Sequence, residues 1–272
     1  MDLFDAIYRR KSTRDYSDEM LPDKTLEEIS EKTSTVEPLY PNSETEFQIR
    51  DWTEMEDFVS GLIGGYGKIE APHYIIAFCG KDRRNLENLG YTLEKIVLEI
   101  TGLGLATCWM GSHFDNDALK EEFGTIERLE PRTLIAFGKP GKGKDALRGD
   151  PDETSRKDLS EILLKDPGEV PEGWSKILDA ARMAPSAMNS QPWRFDLNEE
   201  GIHVYTKSGE GIINKLGKAL GNLGELNKID AGIALRHIKI AADRNSKPTE
   251  FKRLEGKEKN GLSYVVSALE KG

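Results

Sequence analysis

The chain has 272 residues, a formal net charge of −10, 37% hydrophobic and 32% charged residues. That length suits one large domain or two fused smaller ones, and the apolar runs, although lean, predict a folded chain. The acidic balance argues against a general nucleic-acid binder, which needs a basic face, while leaving room for a small basic pocket. No apolar run reaches transmembrane length and MDLFDAIYRRK lacks the apolar core of a signal peptide, so no membrane partner and a cytoplasmic location are expected. Cys79 and Cys108 sit in apolar strand-like runs, which favours buried thiols in a reducing cytosol over a disulfide. The four histidines are scattered and no CxxC, HExxH or EF-hand spacing occurs, so no metal site is expected.

In chain order, Leu3, Phe4 and Ile7 share a helix face leading into Arg9, Arg10 and Lys11. A second helix starts near Asp23, read as its N-cap, and carries Leu26 and Ile29. Thr53 with Glu56 reads as a capping box before Met55, Phe58, Val59, Leu62 and Ile63, and Gly64 and Gly65 end that helix. HYIIAFCG (73–80) is a buried strand. A long helix follows with Leu86, Leu89, Leu93, Ile96, Val97 and Ile100 facing a core, stopped by Gly102 and Gly104. TCWMG (107–111) is a short strand, Asp115 caps a small helix, and RTLIAFG (132–138) is a strand. The polar, glycine-rich stretch 138–158 reads as a connector. The pattern then restarts with a helix over 172–183, strands near 193–197 and 202–206, a helix around 227–243 and a strand over 262–269.

The restart looks like a degenerate repeat. Leu26 and Ile29 align with Trp174 and Ile177 at a constant offset of 148, which also sets Phe47 on Phe195 and Ile49 on Leu197. Two halves, 1–150 and 151–272, are expected, against the alternative of one unrepeated α+β domain.

Three stretches carry chemistry. In RRKSTRDY (9–16), Arg10, Lys11 and Arg14 set three cations within five residues beside the Ser12 hydroxyl, a set that neutralises a phosphate dianion; the plainer reading is a basic helix C-terminus in water. GLGLATCWMGSHF (102–114) pairs a small-residue turn with an apolar strand, which lets backbone approach a flat ligand; it is not a dinucleotide fingerprint, and a glycine C-cap plus core strand also explains it. APSAMNSQPWRF (184–195) is stiffened by Pro185 and Pro192 and offers Ser186, Asn189 and Gln191 beside Trp193, a rigid polar loop suited to a planar heteroaromatic such as a flavin.

Together these stretches resemble the FMN-dependent nitroreductase family. Arg10–Tyr16 resembles its RRSxRxF-like phosphate motif, Ala180–Phe195 its AAxxAPSAxNxQPWRF motif, Gly104–Gly111 its GLGTCWxG-like turn, and Arg156–Glu161 its RKPLSE-like strip. The order departs from the ordinary pattern. The phosphate motif and glycine turn lie in the first half and the PSA loop in the second, and neither half keeps the other's set. The chain therefore resembles the fused TM nitroreductase type, a single chain imitating a homodimer, with one complete FMN site expected per chain.

The resemblance implies an α+β fold, a mostly antiparallel sheet with flanking helices in each half. It implies that Arg10, Lys11 and Ser12 bind the FMN phosphate, helped by Arg156 or Lys157, and that Arg14 lies toward N1/O2 and favours the reduced ring. Pro185, Ser186, Ala187 and Asn189 would line the ring, and backbone of Met110, Gly111 and Ser112 would approach N4–N5. His113 is a candidate proton donor, although a solvated loop histidine explains it as well. The implied activity is NAD(P)H-dependent reduction of a nitroaromatic or quinone-type acceptor by ping-pong hydride transfer, with NADH or NADPH as donor. The alternatives are a non-catalytic flavin carrier or redox sensor, or another flavin reaction such as reductive dehalogenation. The chain is expected to be a monomer (an intrachain pseudo-dimer) or a weak homodimer.

Overall fold

A strand buried at every position needs cover on both faces, and β2 (His73–Cys79) is such a strand. In the computed structural model, Tyr74, Ile76 and Phe78 point into one apolar cluster with Met55, Val59, Leu119 and Leu134. Helices α3 (Trp52–Val59) and α5 (Asn116–Phe123) supply part of that cover. The alternate residues Ile75, Ala77 and Cys79 face the other way, on the side where α4 (Arg83–Gly102) packs. The structure describes residues 1–59, 69–111, 115–124, 126–150, 154–166, 168, 170–171, 173–207, 223–257 and 259–271, with the side chain of Leu223 left aside.

The chain forms two compact units, Met1–Glu153 and Thr154–Gly272. In the first, α1 (Leu3–Arg9) and α2 (Asp23–Thr35) pack on α4. An antiparallel sheet runs in the order β1 (Thr45–Asp51), β2, β4 (Glu130–Gly138), β3 (Ala106–Met110). The second unit holds α6 (Leu159–Ile162), α7 (Ser175–Arg182) and α8 (Leu223–Arg244). Its sheet runs β5 (Trp193–Asn198), β6 (Gly201–Lys207), β8 (Leu262–Glu270), β7 (Thr249–Lys252). Helix α8 packs on α7 and on β5, β6 and β7. Both sheets are thus antiparallel, with first, second, fourth and third strands in spatial order. The offset of 148 sets residues of β1 on residues of β5, each the first strand of its sheet.

Gly104 ends α4 with φ of +79°, the left-handed turn expected of it. Asp115 caps α5 through the Asp117 and Ala118 amides. Other local expectations need correction. Asp23 is the first helical residue rather than the cap, which is Pro22, whose fixed φ suits a helix entry without a side-chain bond. The box before α3 is Asp51 with Glu54: Glu54 N–H donates to Asp51 Oδ1 at 3.1 Å and Asp51 N–H to Glu54 Oε2 at 3.0 Å. Thr53 donates its hydroxyl to Asp51 Oδ1 instead. Leu62, Ile63, Gly64 and Gly65 lie outside the described residues. Strands β1 and β7 carry no apolar run and were not expected from the pattern; β7 fills the place in its sheet that β3 fills in the other, without the TCWMG sequence. The start of the 138–158 connector is not a free linker, because it is bound back onto the basic segment described next.

Candidate functional site

Helix α1 stops at Arg10, whose backbone is extended at φ −64° and ψ 133°. From there the chain runs as a lane stitched to two other segments. Ser12 bridges Thr107 at the start of β3 in parallel, and Thr13 N–H donates to Thr107 O at 3.0 Å. On the other side Arg10 bridges Leu147, Arg148 N–H donates to Arg9 O at 2.7 Å, and Tyr16 bridges Pro140. The Gly141 N–H donates to Asp15 O at 2.8 Å, and a Cβ at Gly141 would displace the Asp15 carboxylate, which it would meet at 2.3 Å.

This lane concentrates positive charge. Arg10 is only 4% exposed, and its guanidinium has one hydrogen bond, from Nη2 to Ser12 Oγ at 3.2 Å. Its Nε, and the buried hydroxyls of Thr13 and Thr107, have no partner among the described residues. Arg10 forms no ion pair among the described residues either. Arg148 donates to Tyr8 O at 3.2 Å, and burial followed by repulsion from Arg10 pulls its pKa down. Burial raises the Cys108 thiol, against the pull of Arg14 and then Arg10, so both cations act on the start of β3. Burial also holds Tyr16 well above the usual phenol range while its hydroxyl donates to Ala136 O at 3.0 Å. Lys11 is half-buried; Ser12 and Arg14 are exposed. A buried guanidinium beside a second one, with unfilled donors and hydroxyls and no carboxylate of its own, fits a phosphate dianion.

At the end of β3, Met110 O already accepts the Thr133 hydroxyl at 2.9 Å. Gly111 is exposed, and a Cβ there would meet nothing within 4 Å. Ser112 and His113 lie outside the described residues. Trp109 is anchored by its indole N–H to Glu94 Oε2 of α4 at 2.8 Å.

In the second unit the segment between α7 and β5 is a tight loop around one 3-10 turn, Ala187–Asn189. Met188, Asn189 and Gln191 have φ of 51°, 53° and 48°, conformations that non-glycine residues adopt only when held. Ser186 Oγ accepts the Gln191 amide at 2.9 Å, and Asn189 Nδ2 donates to Ser155 O at 2.9 Å. Arg156 donates to Met183 O at 3.2 Å and to Asn189 Oδ1. Lys157 donates through its amide to Gln191 Oε1 at 2.8 Å and through Nζ to Ser190 O at 2.6 Å. Burial, then the Arg194 charge, lowers the Lys157 pKa. Pro185 is buried and Met188 is 54% exposed at the tip.

The first unit therefore brings Arg10, Lys11, Ser12 and Arg14 onto one lane leading to β3, and the second gathers Arg156, Lys157, Pro185, Ser186, Ala187 and Asn189 around one loop. Arg156 and Lys157, expected as phosphate partners, hydrogen-bond to that loop. Sequence reasoning missed Arg148, Thr13 and Thr107, whose relevance arises only from the pairing of distant segments. It also missed Asp230, whose signal in the sequence was a carboxylate set within the mostly apolar stretch IDAGIALRHI and which is 3% exposed.

The chain matches the family described as "Putative TM nitroreductase" over residues 2–242. A solved structure of a nitroreductase-like protein from Thermotoga maritima is 22% identical, with 98% of this chain and 94% of that chain covered and a TM-score of 0.64. An FMN-dependent nitroreductase from Clostridium difficile is 18% identical over 59% of this chain and 98% of its own, with a TM-score of 0.48. A nitroreductase-like protein from Desulfovibrio desulfuricans in complex with FMN is 21% identical over 63% and 99%, also at 0.48. The comparison with curated proteins gave no match. The Thermotoga likeness extends over nearly the whole chain, and the fold is α+β and nitroreductase-like. No described helix is long and apolar enough to cross a membrane.

Proposed function

Because the chain belongs to the TM nitroreductase family, we propose that it is an FMN-dependent oxidoreductase that takes reducing equivalents from NADH or NADPH and delivers them to a nitroaromatic or quinone-type acceptor. The observation that carries this reading is Arg10, a guanidinium 4% exposed whose one hydrogen-bond partner among the described residues is a neutral hydroxyl. Burying an uncompensated cation costs several kcal/mol, and a dianionic phosphate supplies what is lacking. Arg10, Ser12 and Arg148 are assigned to that phosphate, with Lys11 adding charge at the half-buried edge. Arg14 is assigned to the pyrimidine side of the ring, where a fixed cation favours the reduced form.

FMN, when bound, supplies hydride acceptance and onward electron delivery. This chain supplies binding and orientation. Following the family resemblance, Met110 and Gly111 in the first unit and Pro185, Ser186, Ala187 and Asn189 in the second are each assigned as flavin-contacting residues. The loop bonds described above hold Ser186 and Asn189 before any ligand arrives, which reduces the ordering cost of binding. Arg156 and Lys157 act within this scheme by fixing Asn189 and Gln191.

The test is the visible spectrum of the purified protein, followed by anaerobic addition of NADH and NADPH and reoxidation with menadione or nitrofurazone. Bleaching and recovery of the flavin band are expected. A yellow protein that neither nucleotide bleaches would replace the reductase with a flavin carrier, and a protein that binds no FMN on titration would remove the flavin reading altogether.

A further inference from the structure

Three non-glycine residues with positive φ within four positions make the 184–192 loop expensive to hold, at about 1 kcal/mol or more each. Such a loop keeps its shape only where its surroundings over-determine it. Two of its clamps come from the 155–157 segment: Ser155 and Arg156 on Asn189, and the Lys157 amide on Gln191. That segment is itself irregular. The third clamp is of another kind. Ala187 N–H donates to both carboxylate oxygens of Asp230, at 3.1 and 3.2 Å. Asp230 is 3% exposed and lies on α8, the long helix that packs on three strands of its sheet. It lies outside the loop motif, and the flavin assignment above does not use it.

We propose that Asp230 is the positioning residue of this loop: by holding the Ala187 amide it fixes the 3-10 turn to α8 and so sets where Ser186, Met188 and Asn189 stand. The step from loop position to flavin affinity rests on the function proposed above; the step from Asp230 to loop position does not. Asp230 touches no reacting atom in this scheme and is not a catalytic residue. An acid so deeply buried would be replaced by an apolar residue if packing were its only role, since a carboxyl with a single amide partner is costly to desolvate. Its place one hydrogen bond from the strained turn supplies the reason for keeping it.

The experiment compares Asp230→Asn, which keeps a carbonyl oxygen for the Ala187 amide, with Asp230→Leu, which keeps volume and removes the acceptor. Amide hydrogen exchange is measured on the flavin-free protein, with peptides of β6 and β8 as the internal reference. Loss of one buried hydrogen bond predicts roughly tenfold faster exchange of the 184–192 peptide in Asp230→Leu, with Asp230→Asn within about twofold of the parent. FMN dissociation constants should follow the same order, roughly tenfold weaker for Leu and near the parent for Asn. Should Leu prevent folding, Asp230→Ala is scored in the same way. Unchanged loop exchange in a folded variant that lacks the acceptor, or equal loosening by Asn and Leu, overturns the proposal. A loop that loosens as expected in a protein that binds no FMN would sink the function and leave the positioning role standing; FMN binding with an unmoved loop would do the reverse.

Discussion

Arg10 Nη2 donates to Ser12 Oγ across 3.2 Å, and this neutral oxygen is the guanidinium's one hydrogen-bond acceptor among the described residues. A cation kept in that condition weakens the empty protein and serves a ligand. The two effects have opposite signs, so one substitution separates them. Arg10→Met should leave the flavin-free protein as stable as the parent or more so, because an apolar side chain replaces a buried unpaired charge. It should weaken FMN binding by about 1.5–3 kcal/mol, the worth of a charge-assisted hydrogen bond. Denaturant unfolding with and without FMN reads both. Unchanged affinity would take Arg10 out of the site.

Much of this was legible in the sequence where one residue type has one physical use. Gly104 had to turn the chain, Asp115 had to cap, and the largely apolar HYIIAFC had to be a buried strand. The basic lane was legible as charge but not as a site. Arg10 and Arg14 are four residues apart, whereas Arg148 reaches Arg10 only because Leu147 pairs with Arg10 across the sequence, and the glycine-rich stretch leading to it has the composition of a linker. Strand β1 was invisible for a related reason. Its burial pattern has one buried position in seven, so TEFQIRD shows no inward face to read.

Arg148 gives the second prediction. Arg10 repels it, and burial already disfavours its charge, so its position gains most when a phosphate sits between the two cations. A riboflavin probe lacks that phosphate. Arg148→Gln should therefore narrow the preference for FMN over riboflavin by roughly tenfold while leaving riboflavin affinity unchanged. Parallel titrations of both flavins measure it, and an undiminished preference would show that Arg148 stays away from the phosphate.

Asp230 predicts a pH dependence. Burial pushes its carboxyl up to about 8, opposed by the Ala187 N–H, and no charged side chain among the described residues contributes. In the unfolded chain the same group titrates near the ordinary aspartate value of about 3.9. The folded value is raised, so the stability tied to the proton is complete below about pH 4 and is lost as pH rises through about 8. Asp230→Asn cannot lose that proton. The parent should weaken relative to the variant between pH 5 and pH 8, by a difference on the order of a few kcal/mol. Urea unfolding of both proteins at the two pH values tests it, and a constant difference would mean that Asp230 ionises normally in the fold.

His73 predicts the opposite slope. Its Nε2 accepts the Leu21 amide at 3.0 Å, which requires that nitrogen to be bare and the ring neutral. The ring is 1% exposed and packs on Phe137, with centroids 5.4 Å apart. Burial lowers its pKa below the ordinary histidine value, and Asp51 only partly opposes the shift. A depressed folded value means that the unfolded chain takes up its proton first. The contribution is therefore intact above about pH 6.5, the unfolded value, and is lost as pH falls through the folded one. His203 shifts in the same direction, through burial and then Lys257, so removing His73 should reduce the acid slope without abolishing it. His73→Gln offers an oxygen in place of the basic nitrogen. It should cost about 1 kcal/mol at pH 7.5 through poorer packing and hydrogen-bond geometry, then lose less than the parent between pH 7 and pH 5. Chemical unfolding of parent and variant across that range decides it. Parallel curves would show that His73 titrates alike in the folded and unfolded chain and that the Leu21 amide does not hold its Nε2 bare.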